Sequence, residues 1–203
     1  MIKFKNKLDE HFQKNWWVYL LIAFCFLMGV IFGSIGAKSL NSYQNSALGD
    51  FVNNGLSGFE NTVDFSPTMR QALNKNLYNL LKLLVLGLTV IGLPLILALI
   101  FTRGFVLGFT VTFLIRQKAW QGGLIALLAI LPPNILSLPT HFIAAVLAIN
   151  CSLFLIRGDN RRSNSLAQYF LSYLGYFLIL TVIMIASALI EGYLTPLLIR
   201  LLH

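Results

Sequence analysis

Ser137 and His141 stand four residues apart, one helical turn, and a serine hydroxyl beside an imidazole is the pairing of a nucleophile with its base. Pro139 falls between them and no neighbour is placed to orient the imidazole. Helix capping and hydrogen bonding between helices is therefore the better account of the pair. The remaining chemistry-bearing residues form no pattern. His11, His141 and His203 are scattered, so there is no H-E-x-x-H metal motif, and neither a Walker A loop nor a G-x-G-x-x-G after a strand occurs. Cys25 and Cys151 lie inside apolar runs and are poor disulfide or metal candidates. The acids are Asp9, Glu10, Asp50, Glu60, Asp64, Asp159 and Glu191, and none falls in a stretch read as membrane core; Glu191 falls at a helix end. Proton and cation relays usually employ intramembrane carboxylates. The expectation is a chain with no catalytic residues, no metal and no cofactor.

The elements that carry these residues are membrane helices. Of 203 residues, 57% are hydrophobic and 11% charged, with mean hydropathy +0.77, which excludes a soluble globular domain and a disordered chain. The expected fold is all-α: a polytopic integral membrane helical bundle of five transmembrane helices, plus one short re-entrant or interfacial helix and an extracytoplasmic amphipathic helix. After a cytoplasmic N-terminus (1–15) the spans are read at 16–36, 77–101, 119–133, 135–156 and 169–190. The first begins at Trp16, Trp17 and Tyr19, an interfacial aromatic anchor, and its apolar run is too long for a signal peptide. Gly104–Ile115 is apolar all round but short, and reads as the re-entrant piece. Pro132, Pro133, Asn134 and Pro139 mark a structural break. A cytoplasmic loop (157–168) and a C-terminal tail (191–203) complete the single membrane domain.

Basic residues set the orientation. The formal net charge of +8 would suggest nucleic acid in a soluble protein, but in a membrane chain it encodes topology, so no nucleic-acid partner is expected. With five spans, Lys3, Lys5, Lys7, Lys14, Arg103, Arg116, Lys118, Arg157, Arg161 and Arg162 fall inside. Lys38, Arg70, Lys75, Lys82 and Arg200 fall outside. If Gly104–Ile115 crossed fully and every later segment flipped, the excess would reverse. The positive-inside rule therefore favours five spans with the C-terminus outside.

Two glycine pairs, Gly29/Gly33 and Gly104/Gly108, open flat strips for close helix packing. Contact within the chain is the favoured use; self-association into a homo-oligomer or binding a partner's membrane helix is the alternative. The extracytoplasmic segment (37–76) carries an apolar stripe at helical spacing, Leu48, Phe51, Val52, Leu56 and Phe59, which reads as a partner-binding surface. The stripe must be covered by the bundle's own helices, a protein partner or the lipid bilayer. The segment is too small to be an enzyme domain with its own core.

Phe26-Leu-Met-Gly-Val-Ile-Phe-Gly33, Arg103-Gly-Phe-Val-Leu-Gly108, Phe113-Leu-Ile-Arg-Gln117, Trp120-Gln-Gly122, Leu131-Pro-Pro-Asn-Ile135 and then Pro139 occur in that order. In order, spacing and total length the set resembles the stage II sporulation protein M family over nearly the whole chain. Where the wider superfamily often has Pro-His-Gly and a downstream glutamate, this chain has Pro133-Asn134-Ile135, a departure toward the sporulation branch. The resemblance implies a multi-pass protein of the mother-cell membrane, at the septum and engulfing membrane of endospore-forming bacteria. It would be a scaffold in a protein complex for peptidoglycan remodelling during engulfment, with stage II sporulation proteins D and P as partners. A transporter or channel, with a pathway along Gly104–Ile115 and the Pro-rich break, is the runner-up reading.

Overall fold

The computed structural model describes the backbone of residues 2–50, 65–157 and 163–200. Side chains are described for 16–50, 69–117, 132, 134–156 and 168–192, and for residues 123 and 124. The described elements are α1 (Ile2–Lys38), α2 (42–50), α3 (Phe65–Gly87), α4 (Gly92–Arg157) and α5 (Ser163–Arg200). No strand occurs among the described residues.

α4 is one helix of 66 residues by backbone bonding, yet it is not a rod. The Nη1 of Arg103 donates to the Oγ of Ser137 at 3.1 Å. In a straight helix those residues would lie about 50 Å apart at the usual rise of about 1.5 Å per residue. A Cβ on Gly123 would also touch the Ile115 side chain. The chain therefore doubles back between Ile115 and Gly123 and forms two antiparallel arms, with Thr89, just before the first, held by Ser152 near the end of the second. The second arm is the central helix. Its Asn134–Ile156 stretch is 50% buried against 17% for Trp16–Lys38, and Ala144, Ala145 and Ala148 let the other helices come close. Ile22, Leu83, Ile96, Ile100, Phe177 and Met184 close the core around it.

α1 runs parallel to the first arm. Gly104 abuts Phe26 and Val30, Gly108 abuts Val30, and farther along Arg116 reaches the carbonyls of Ala37 and Lys38. The opposite side of α1 presents Trp17, Leu20, Phe24, Leu27, Ile31 and Ile35, a lipid-facing stripe at helical spacing. α3 makes the return pass. Its first turns meet α5 at Met69 and Gly192, and its last turn meets Tyr173, whose hydroxyl donates to the Leu84 carbonyl at 3.0 Å.

Among the described residues, four helical stretches are long and apolar enough to cross a membrane: Trp16–Lys38, Gly92–Gln117, Asn134–Ile156 and Gln168–Gly192. The expected spans at 77–101 and 119–133 and the separate short helix at 104–115 are not among them. The stretch 77–101 is not one helix: α3 ends at Gly87 and α4 begins at Gly92. In the turn between them Leu88, Thr89 and Gly92 donate three residues back, and Ser152 caps the Thr89 carbonyl at 2.9 Å. A Cβ at Gly92 would strike the Leu86 carbonyl, so the turn requires glycine there. Pro94 sits in the first turn of α4, where its missing N–H costs nothing. Gly104–Ile115 joins Gly92–Arg103 in a single candidate span. The Pro132–Asn134 and Pro139 positions do not interrupt the helix. In an apolar setting unpaired backbone is too costly for the helix to open there. Thr140 and His141 add side-chain bonds to the carbonyls of Leu136 and Ser137 beside Pro139.

With this path Arg116 and Lys118 stand at the Lys38 end, opposite to the expected side. The positive excess survives the exchange. Lys3, Lys5, Lys7, Lys14 and Arg157 belong to the Thr89 end, and the sequence places Arg161 and Arg162 in the connection that follows. Lys38, Arg70, Arg116, Lys118 and Arg200 belong to the other, while Lys75, Lys82 and Arg103 lie between.

Candidate functional site

Polar side chains from four helical pieces converge inside the bundle. α3 brings Lys75 and Asn76, the first arm of α4 brings Arg103, the second brings Asn134, Ser137 and His141, and α5 brings Glu191. Lys75, Asn76, Arg103, Asn134, Ser137 and Glu191 line a cavity of about 40 Å³. Gly104, the neighbour of Arg103, packs against Phe26 and Val30 in the middle of the Trp16–Lys38 span. Arg103 therefore stands at membrane depth, where ionisable groups are retained for a task or in pairs, while Lys75, 64% exposed, stands at the rim of the cavity.

Arg103 donates to Ser137, and the Nζ of Lys75 lies 3.8 Å from the Oε1 of Glu191. Glu191 is the last residue but one of the Gln168–Gly192 candidate span, so it stands at the end of that span, although α5 itself continues to Arg200. Two buried polar atoms have no partner among the described residues: Asn76 Nδ2 and His141 Nε2. Both side chains are 2% exposed, so each carries the cost of a buried polar group without a hydrogen bond. Cationic and amide donors outnumber acceptors around the cavity, a composition suited to water or a small anion.

The Ser137–His141 pair does not have the geometry of a nucleophile and its base. The Nδ1 of His141 is 2.7 Å from the Ser137 carbonyl oxygen, to which it donates, and 3.5 Å from the Ser137 hydroxyl. An Nδ1 carrying its proton cannot accept another from Ser137, whose Oγ faces Arg103 instead.

Of the other residues singled out from sequence, Gly29, Gly33, Gly104 and Gly108 meet one another's helices. A Cβ at Gly29 would strike the Phe101 carbonyl, at Gly33 the Phe105 carbonyl, at Gly104 the Phe26 carbonyl and at Gly108 the Val30 carbonyl. The two strips are consumed within the chain. Leu48, half-buried, lies in α2; Phe51, Val52, Leu56 and Phe59 fall outside the described residues. Pro132 and Asn134 are half-buried in the second arm, and Pro139 is exposed.

A second constellation, also missed from sequence, lies at the Lys38 end. Arg116 Nη1 donates to the carbonyls of Ala37 (2.8 Å) and Lys38 (2.9 Å), satisfying acceptors that a helix C-terminus leaves open. Gln117 Nε2 donates to the backbone oxygen (2.9 Å) and side-chain oxygen (3.1 Å) of Asn45 in α2. The tip of the α4 hairpin thus holds both the end of α1 and the start of the segment that leads to α3.

The family profile of stage II sporulation protein M matches residues 22–196, almost the whole bundle. The chain belongs to the stage II sporulation protein M family. The match takes in α1 from the core residue Ile22, both α4 arms and most of α5, so the interlocked glycines and the polar cluster are features of the family region of this chain. It is a sporulation membrane protein. No curated protein and no solved structure matches the chain.

Proposed function

We propose that this stage II sporulation protein M family member is a non-enzymatic scaffold of the mother-cell membrane. In this reading it recruits and holds the peptidoglycan-degrading stage II sporulation proteins D and P at the septal and engulfing membrane. The observation that supports it is the clamp at the hairpin tip: Arg116 and Gln117 tether the end of α1 and α2, and Met69 packs on Gly192 where the segment returns. The 39–64 segment is thereby presented from a fixed base. With the N-terminus inside, that base faces away from the cytoplasm. The glycine strips are occupied within the chain, which leaves the Leu48–Phe59 stripe as the docking surface. The test is co-purification. The triple variant Phe51→Ser, Leu56→Ser, Phe59→Ser, at normal membrane level, is expected to lose both hydrolases; undiminished recovery contradicts the reading.

The buried polar cluster favours a second reading, a transporter or channel. A pathway along Gly104–Ile115 is closed by α1, so conduction would have to pass the Arg103 cavity. Solute flux in reconstituted vesicles that Arg103→Met abolishes supports this reading, and its absence removes it.

A further inference from the structure

A groove of about 950 Å³ runs between α3 and α5 and is independent of the scaffold reading. Its lining changes character along α3. Arg70, Gln71, Asn74 and Lys75 form one polar face at spacings of one and four residues, and all are exposed. Below them the groove is floored by Leu80, Leu81 and Leu84 and walled by Phe177 of α5. A cationic end continuous with an apolar trough is complementary to an amphiphile with an anionic head. The volume is at the upper end of ordinary ligand pockets, about 300–1,000 Å³.

We propose that this groove binds one anionic phospholipid of the leaflet at the Lys38 end, its phosphate held between Arg70 and Lys75 and an acyl chain along Leu80, Leu84 and Phe177. Three observations select that occupant. Glu191 offsets Lys75, but Arg70 makes no ion pair among the described residues, so the groove's described lining carries a net positive charge at its polar end. A second copy of this chain seated on the same face would set Arg70 and Lys75 against themselves. Arg70 lies about one and a half turns from the start of α3, and its long stem brings the guanidinium toward the headgroup level.

The test uses the full chain in nanodiscs of equal phosphatidylglycerol and phosphatidylcholine with identical acyl chains, ejected intact for native mass spectrometry. Retained lipid is expected to be phosphatidylglycerol, with Arg70→Gln and Lys75→Gln each lowering the preference about fivefold, the usual contribution of one basic residue near an anionic surface. Lys38→Gln is the charge control and is expected to change nothing. Arg70→Gln alters an exposed side chain outside the packed core, so it serves even if Lys75→Gln, which breaks the pair with Glu191, does not fold. Leu81→Trp fills the trough with both charges intact, and is expected to abolish retention. Equal retention of the two lipids, or an unchanged preference in Arg70→Gln, overturns the proposal. Displacement by inorganic phosphate with indifference to Leu81→Trp assigns the site to soluble phosphate, and displacement by an acidic transmembrane peptide assigns it to a protein helix. Either outcome overturns the lipid.

Discussion

Arg103 and Ser137 belong to the same helix, 34 positions apart, and their side chains meet at 3.1 Å. That contact requires α4 to fold into a hairpin, and it fixes the register of the two arms that carry the polar cluster. It also gives Arg103 an acceptor at membrane depth. Ser137→Ala is expected to destabilise the bundle by about 1–3 kcal/mol, the cost of leaving a buried donor unsatisfied. Thermal melting in detergent measures this, and an unchanged midpoint contradicts it.

The interlock of α1 with the first arm rests on backbone approach, so even a methyl group has no room. Gly29→Ala and Gly104→Ala are each expected to cost about 1–3 kcal/mol through overpacking. Gly175 is the internal control: a Cβ there meets nothing within 4 Å. Gly175→Ala is expected to be neutral or to stabilise by up to about 1 kcal/mol, as alanine does over glycine in a helix. Equal losses at all three sites would show that the glycine contacts are not what holds α1.

Much of the helical plan is legible from residue type, and the failures have physical causes. The span read at 16–36 falls within the Trp16–Lys38 candidate span because the run is unbroken, apolar and led by aromatics. The turn after Gly87 is invisible to hydropathy because Leu88, Val90 and Ile91 are themselves apolar, and the hydroxyl that caps it comes from Ser152, 63 residues away. Arg116 resembles a cytoplasmic loop charge until the carbonyls it serves are known. Proline pairs signal a break in water, but a membrane penalises opened backbone and the helix persists. Glu191 looks terminal because the apolar run stops there, whereas α5 continues to Arg200. The polar cluster is assembled from four separated stretches, and no window of sequence contains it.

Arg116 ties α1 to the hairpin tip through charge-assisted bonds, each of which contributes about 1.5–3 kcal/mol in general. Arg116→Ala is expected to raise amide hydrogen exchange at residues 37–50 by about tenfold or more, with the core amides of 144–149 unaffected. Exchange that rises equally in both regions would signal global destabilisation instead of a released clamp.

The central claim is that the α4 hairpin tip and the segment after α1 form one platform on the same, extracytoplasmic side. Thiol labelling of a cysteine-free chain in intact cells tests it most directly, with single cysteines at Tyr43, which is 83% exposed in α2, and at Lys118 in the tip. Both are expected to react with an impermeant reagent applied from outside. Labelling of Tyr43→Cys with protection of Lys118→Cys until the membrane is permeabilised would put the tip in the cytoplasm and contradict the account.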